Sequence, residues 1–150
     1  MATTAVERTF VDTNVLVFAT QATAPWHAEA NQTLTALHNG GAELWISRQV
    51  LREFLATLSR PQTFSTPVPI ADLVADVKQF ETLFTIAEDG PGVTAHLLSL
   101  LMAIACGGKQ IHDANIVATM LTHGVPKLLT HNVADFNRFA GFITVIPLIP

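Results

Sequence analysis

The sequence predicts an α/β sandwich built around a parallel sheet. Two observations carry that prediction. Short apolar strand candidates alternate with longer segments of helical period, and strands separated by helices imply parallel crossover connections. The composition agrees: 49% of the 150 residues are hydrophobic and 13% are charged, against about 25% charged in an ordinary soluble domain. A parallel sheet is covered on both faces, so its strands read as apolar throughout. That explains much of the hydrophobic excess.

The elements follow in order. Thr9 to Val11 reads as a short strand ending at Asp12, with a start as early as Val6. Asn14 is placed to cap a short helix reaching about Ala19. Pro25 to His38 reads as a second helix, stopped by Gly40 and Gly41. Glu43 to Ile46 is a strand, and Ser47 caps a helix reaching about Leu58. That helix closes at Arg60, because a residue before proline avoids the helical region. Arg60 to Pro69, with three prolines, connects helices within one domain. Ile70 to Phe84 repeats Leu73, Val77, Phe80, Leu83 and Phe84 at helical spacing. Phe84 to Ala87 reads as a strand, and Val93 to Cys106 as a buried helix ended by Gly107. Asp113 to His123 is a helix ended by Gly124. Lys127 to Thr130 and Ile143 to Ile146 are the last strands. No repeat, charge block or linker divides residues 1–150, which are expected to form a single domain.

Low charge and a mean hydropathy of +0.39 raise the question of a membrane protein. A spanning helix needs about 20 apolar residues. The strongest run, Leu97 to Cys106, has ten and is followed by Gly107-Gly108-Lys109. It is expected to be a core helix. MATTAVERTFVD lacks a basic stretch followed by an apolar one, so no signal peptide is expected. A single cysteine, Cys106, excludes a disulfide framework and fits a reducing cytoplasm. The net charge of −4 gives no basic footprint for capturing nucleic acid. A nucleic-acid substrate handled through metal ions stays open.

With so few charges, the acids inside apolar motifs are informative. Asp12 follows a strand in FVDTNVL, where open parallel sheets bind ligands, although a turn or cap role also fits. Glu53, in VLREFLATLSRP, sits about 60° from Val50 on a helical wheel, at the rim of the apolar stripe. A solvated glutamate also fits there. Asp113, in IHDANIVATM, shares a helix face with Ile116, Val117 and Met120, or caps the helix. Asp135, in LLTHNVADF, again follows a strand, or caps the turn before Phe136. Together these four place acids from four segments at one sheet edge. Carboxylates brought together raise one another's pKa, and a divalent cation relieves that. Oxygen-only ligands select Mg²⁺ or Mn²⁺. Such ions favour phosphodiester hydrolysis.

These four motifs, in this order and spacing, resemble the PIN-domain ribonucleases, and among them the VapC-type toxins of toxin–antitoxin pairs. The resemblance covers nearly the whole chain. It implies a three-layer α/β/α sandwich with a central, mostly parallel sheet. It also implies a Mg²⁺- or Mn²⁺-dependent endoribonuclease, usually a homodimer held by a small VapB-like antitoxin. By position, Asp12 and Asp113 would be metal ligands. Glu53 would complete the ligand set or orient the attacking water, and Asp135 would bind a second metal or a water. Thr13 and Asn14 match the polar pair that orients the first Asp, and Thr130 and Asn132 match polar positions near the fourth acid. Many PIN nucleases have an acid where this chain has Asn132, so one or two metal ions both stay open. His112 has two uses, as a phosphate contact or as a structural histidine.

Arg48, Arg52, Arg60 and Lys109 are candidate phosphate contacts or ordinary surface cations. Phe18, Trp26 and Trp45 read as core or partner interface rather than base-stacking platforms. The six histidines show no zinc spacing. Two other functions compete. A phosphohydrolase would use Asp12 as nucleophile, but enzymes of the haloacid-dehalogenase type usually carry a second Asp where this chain has Asn14. A non-catalytic interaction module on the same fold would not require all four acids. The low charge also predicts apolar surface for a second subunit and an antitoxin, with Leu34, Leu37, Phe64, Val68 and Ile70 as candidates.

Overall fold

The structure, a computed structural model, describes residues 5–150. Five strands form one sheet in the order β3-β2-β1-β4-β5. They are β1 (Arg8–Val11), β2 (Glu43–Ser47), β3 (Thr85–Ala87), β4 (Lys127–Thr130) and β5 (Thr144–Pro147). Every pairing is parallel: Phe10 lies opposite Trp45 on one side and Leu128 on the other. Successive strand residues face opposite sides of a sheet. Consecutive burial of Thr9, Phe10 and Val11, and of Leu128, Leu129 and Thr130, therefore means cover on both faces. Helices supply it, giving three layers. The first strand begins at Arg8; Val6 lies outside it and is exposed.

The helices are α1 (Thr13–Thr20), α2 (His27–Asn39), α3 (Arg48–Leu58), α4 (Ile70–Leu83), α5 (Pro91–Ala103), α6 (Gln110–His123) and α7 (Val133–Phe136). Asp12, not Asn14, caps α1: its Oδ1 accepts from the Thr13 amide at 2.8 Å. Ser47 caps α3 as its sequence position predicts, accepting from the Val50 amide. Pro25 stays outside α2, which starts after Trp26. The sixth helix begins three residues before Asp113, at Gln110, and ends at Gly124 in the left-handed region with φ +68°. Glycine takes that conformation without a Cβ clash. The last strand is shifted by one residue and ends at Pro147 on the sheet edge, where a missing N–H is tolerated.

One expectation fails. The run from Val93 is not a core helix: only Val93 and Leu100 of α5 are buried, while Leu98 is 58% and Met102 90% exposed. The helix lies along α6 and buries one stripe, and it ends at Ala103, before Gly107. An apolar composition all round a helix does not say which faces find a partner. Of the five residues expected at a partner surface, Leu34, Leu37, Phe64 and Val68 pack against the core, and only Ile70 is exposed. Among the described residues no helix is long and apolar enough to cross a membrane.

The one-sided burial of α5 predicts unequal costs. Leu100→Ala is expected to lose about 3 kcal/mol by urea denaturation, and Met102→Ala less than about 0.5 kcal/mol. Equal losses would contradict an outer position for this helix.

Candidate active site

The strand order reverses direction between β1 and β4. Strands β2 and β3 extend the sheet on one side of β1, and β4 and β5 on the other. At such a switch point the loops leave the strand ends in opposite directions and open a crevice. Asp12 sits at that point, directly after β1 and only 5% exposed. Both of its oxygens are held. Oδ1 accepts from the Thr13 amide at 2.8 Å; Oδ2 accepts from Thr130 Oγ1 at 2.7 Å and Asn14 Nδ2 at 3.1 Å. Thr130 ends β4 and accepts in turn from the Asn132 amide at 3.0 Å. Asn14 Oδ1 accepts from the His131 amide at 3.0 Å. Thr13 and Asn14, expected beside Asp12, both bond to it, whereas Thr130, expected near the fourth acid, bonds Asp12 instead and ties the ends of two neighbouring strands to one carboxylate.

Glu53 comes from α3 and is held in the same way. Thr13 Oγ1 donates to its Oε2 at 2.8 Å, and Gln49 Nε2 donates to its Oε1 at 2.9 Å. Gln49 also donates to the His112 carbonyl and accepts from Asn115, both on α6. Gln49 and Asn115 were missed by sequence reading. A signal was available for Gln49, which lies one turn before Glu53 on the same helix.

A cavity of about 310 Å³ brings Asp12, Glu53 and Asp113 together with Thr13, Asn14 and Asn132. Asp113 lies within the first turn of α6 and is not its cap. Asp135 is exposed on α7, outside the lining. Thr130 stands behind Asp12, fully buried. Burial pushes the Asp12 carboxyl up to about 6, against the pull of its hydrogen bonds. Burial also pushes Asp113 up to about 6, and the charges of Asp135, Asp12 and Glu53 add to the shift, while Arg138 opposes it. Asp135 is therefore electrostatically part of the group. Among the described residues no three His, Cys, Asp or Glu side chains converge into a metal cage. Mg²⁺ rarely needs one: it keeps several waters and takes one or two carboxylates. An all-oxygen set with two proton-retaining carboxyls fits a hard divalent cation.

The candidate phosphate cations fare unevenly. Arg48 is occupied: it donates to Glu88 at 2.6 and 3.2 Å and to Glu81 at 2.7 Å. It pins the start of α3 to α4 and to the segment after β3. Arg60 bonds the Ala56 carbonyl. The His112 side chain is exposed; its backbone carbonyl is what the site uses. Arg138, missed by sequence reading, is the cation whose charge acts on Asp113.

Comparison with known proteins is decisive for the family. The PIN domain profile matches residues 9–141. The chain belongs to the PIN-domain family. This PIN domain is 27% identical over 137 residues to Ribonuclease VapC24 of Mycobacterium tuberculosis, covering 90% of this chain and 92% of that protein. It is 24% identical over 132 residues to Ribonuclease VapC48 of the same organism, covering 87% and 90%. Its fold is shared with a solved structure of VapBC2 from Rickettsia felis bound to a promoter DNA fragment, at a TM-score of 0.67 and 17% identity, covering 93% of this chain and 98% of the other.

The raised carboxyls set a pH dependence. The folded chain keeps protons on Asp12 and Asp113 where an unfolded Asp has lost them. Stability without metal therefore falls as pH rises from 3.8 to about 6, and the loss is complete above that window. Asp113→Asn removes one half-exposed charge, worth about 1 kcal/mol after solvent screening. Calorimetry of the metal-free protein at pH about 7.5 is expected to show a rise of about 3 °C in Tm. A fall would mean that the Asp113 carboxylate stabilises the fold.

Proposed function

We propose that this PIN domain is a divalent-metal-dependent endoribonuclease and the toxin of a type II toxin–antitoxin pair. The observation that carries this reading is the meeting of Asp12, Glu53 and Asp113 in one cavity at the switch point, with two of the carboxyls pushed up to about 6. Relatives named ribonucleases support the activity, and a fold shared with a toxin–antitoxin complex supports the partner. The partner would be a small VapB-like, DNA-binding antitoxin. The substrate is RNA, and the expected site of action is the cytoplasm.

Asp12 and Asp113 would hold Mg²⁺ or Mn²⁺, with Glu53 and Asp135 as further oxygen donors. A bound ion would neutralise charge on the phosphoryl oxygens and acidify water at that place. The chain's own residues do the rest. Thr130, Asn14 and the Thr13 amide hold the Asp12 carboxylate in one orientation, so little reorganisation is needed during reaction. Glu53 faces the cavity with each oxygen accepting a single hydrogen bond. A carboxylate oxygen has a second lone pair, so Glu53 is able to take a proton from the attacking water. Asn132 offers an amide to the cavity for a phosphate oxygen. A phosphohydrolase reading is disfavoured by the same bonds. Asn14, whose amide donates to Asp12, stands where the second carboxyl would be.

Purified protein is expected to cleave RNA with Mg²⁺ or Mn²⁺, and EDTA to stop it. Asp12→Asn should abolish cleavage, and full activity in that variant would defeat the assignment. Thr130→Val leaves the acids intact but frees Asp12, for an expected loss of about 10- to 100-fold in metal affinity or rate. Metal affinity should weaken as pH falls through about 6, because Asp12 and Asp113 must lose their protons to bind the ion. An affinity flat between pH about 5 and about 8 would separate these two carboxyls from the metal.

A further inference from the structure

Trp26 is the single non-glycine residue with positive φ among the described residues, at +61°. A bulky side chain in the left-handed region is a true outlier. Strain of that kind clusters where a side chain must be aimed. Trp26 is 40% exposed at the start of α2. Its ring lies 5.8 Å from the His131 ring, tilted by 40°. The His131 ring also meets Phe18, edge-on at 5.4 Å. Phe18 lines the acidic cavity. His131 lies between Thr130 and Asn132, and its amide is bonded to Asn14. The three rings therefore form a continuous wall from the cavity to the surface, anchored to the loop that orients Asp12.

Charge sharpens the question of how this chain would hold RNA. Its net charge is −4, with eight lysines and arginines. Among the described residues Arg8, Arg48 and Lys127 are already in ion pairs. A net negative chain has less overall phosphate attraction to draw on than a basic nucleic-acid binder. Stacking on aromatic rings supplies affinity without charge and needs a base that is not paired. We propose that Trp26, with His131 and Phe18 behind it, stacks an unpaired base of the RNA strand beside the scissile phosphate. This rests on the nuclease reading above. It makes Trp26 a binding residue and restricts the substrate to single-stranded or looped RNA. It also reverses the expectation that Trp26 serves the core or a partner surface.

Two measurements test it. Trp26→Gly removes the ring while keeping a residue that accepts the left-handed backbone; Trp26→Phe keeps an aromatic face. With a short single-stranded oligoribonucleotide, Trp26→Gly is expected to raise KM about tenfold with kcat little changed, and Trp26→Phe to recover most of the loss. The second readout needs no cleavage. Trp45→Phe leaves Trp26 as the lone indole of the two in the chain, and Asp12→Asn in the same protein prevents turnover. Its fluorescence should be quenched by the oligoribonucleotide but not by an abasic strand of equal length. Equal quenching by both strands means backbone attraction and overturns the proposal. A ring silent to RNA, with KM unchanged in Trp26→Gly, also overturns it, leaves the nuclease reading standing and makes the ring a protein contact. A wild-type chain that cleaves no RNA defeats the nuclease reading; base-selective quenching would then still establish the stacking wall.

Discussion

One buried carboxylate organises this molecule. Asp12 lies at the end of the central strand, nearly out of reach of water, and burial of an ionised group is costly unless it is paired or hydrogen-bonded. Thr13, Asn14 and Thr130 supply the bonds. Thr130 belongs to β4, 118 residues away in sequence. The hydrogen bond therefore exists only when the sheet is assembled with β4 beside β1. The same carboxylate caps α1, so the helix direction, the strand pairing and the orientation of the acid are a single arrangement.

That arrangement explains how four segments serve one place. The switch in strand order opens the crevice, α3 brings Glu53 with Gln49 as its brace, and α6 brings Asp113. Gln49 joins the two helices, bonding Glu53 on its own helix and His112 and Asn115 on the other. The carboxylates are held near each other without closing into a cage. Their mutual repulsion is a cost to the metal-free fold and an attraction for a cation. The charges that would hold a cation also destabilise the metal-free fold.

Much was legible in the sequence because it depends on local pattern. Short apolar runs marked the five strands, Ser47 and Gly124 marked helix ends, and the acids stood out against a chain poor in charge. The helix over Pro91–Ala103 was less legible. Its residues are apolar on nearly every side, so periodicity could not say that only Val93 and Leu100 would be fully buried. Asp12 was legible as a site residue but not as the cap of α1, since Asn14 has equal capping chemistry and only the backbone path chooses between them.

The sequence by itself determined the fold class, the family motifs and the candidate acids, because short apolar runs, helix caps and residue chemistry are local properties. Only the tertiary structure decided which acids share a cavity, that Asp135 stands outside its lining, and that Gln49 joins α3 to α6. It also placed Trp26, read as core or partner interface, as an exposed ring against His131. Those facts depend on contacts between distant segments and on one strained backbone angle. Neither is encoded in the spacing of residues along the chain.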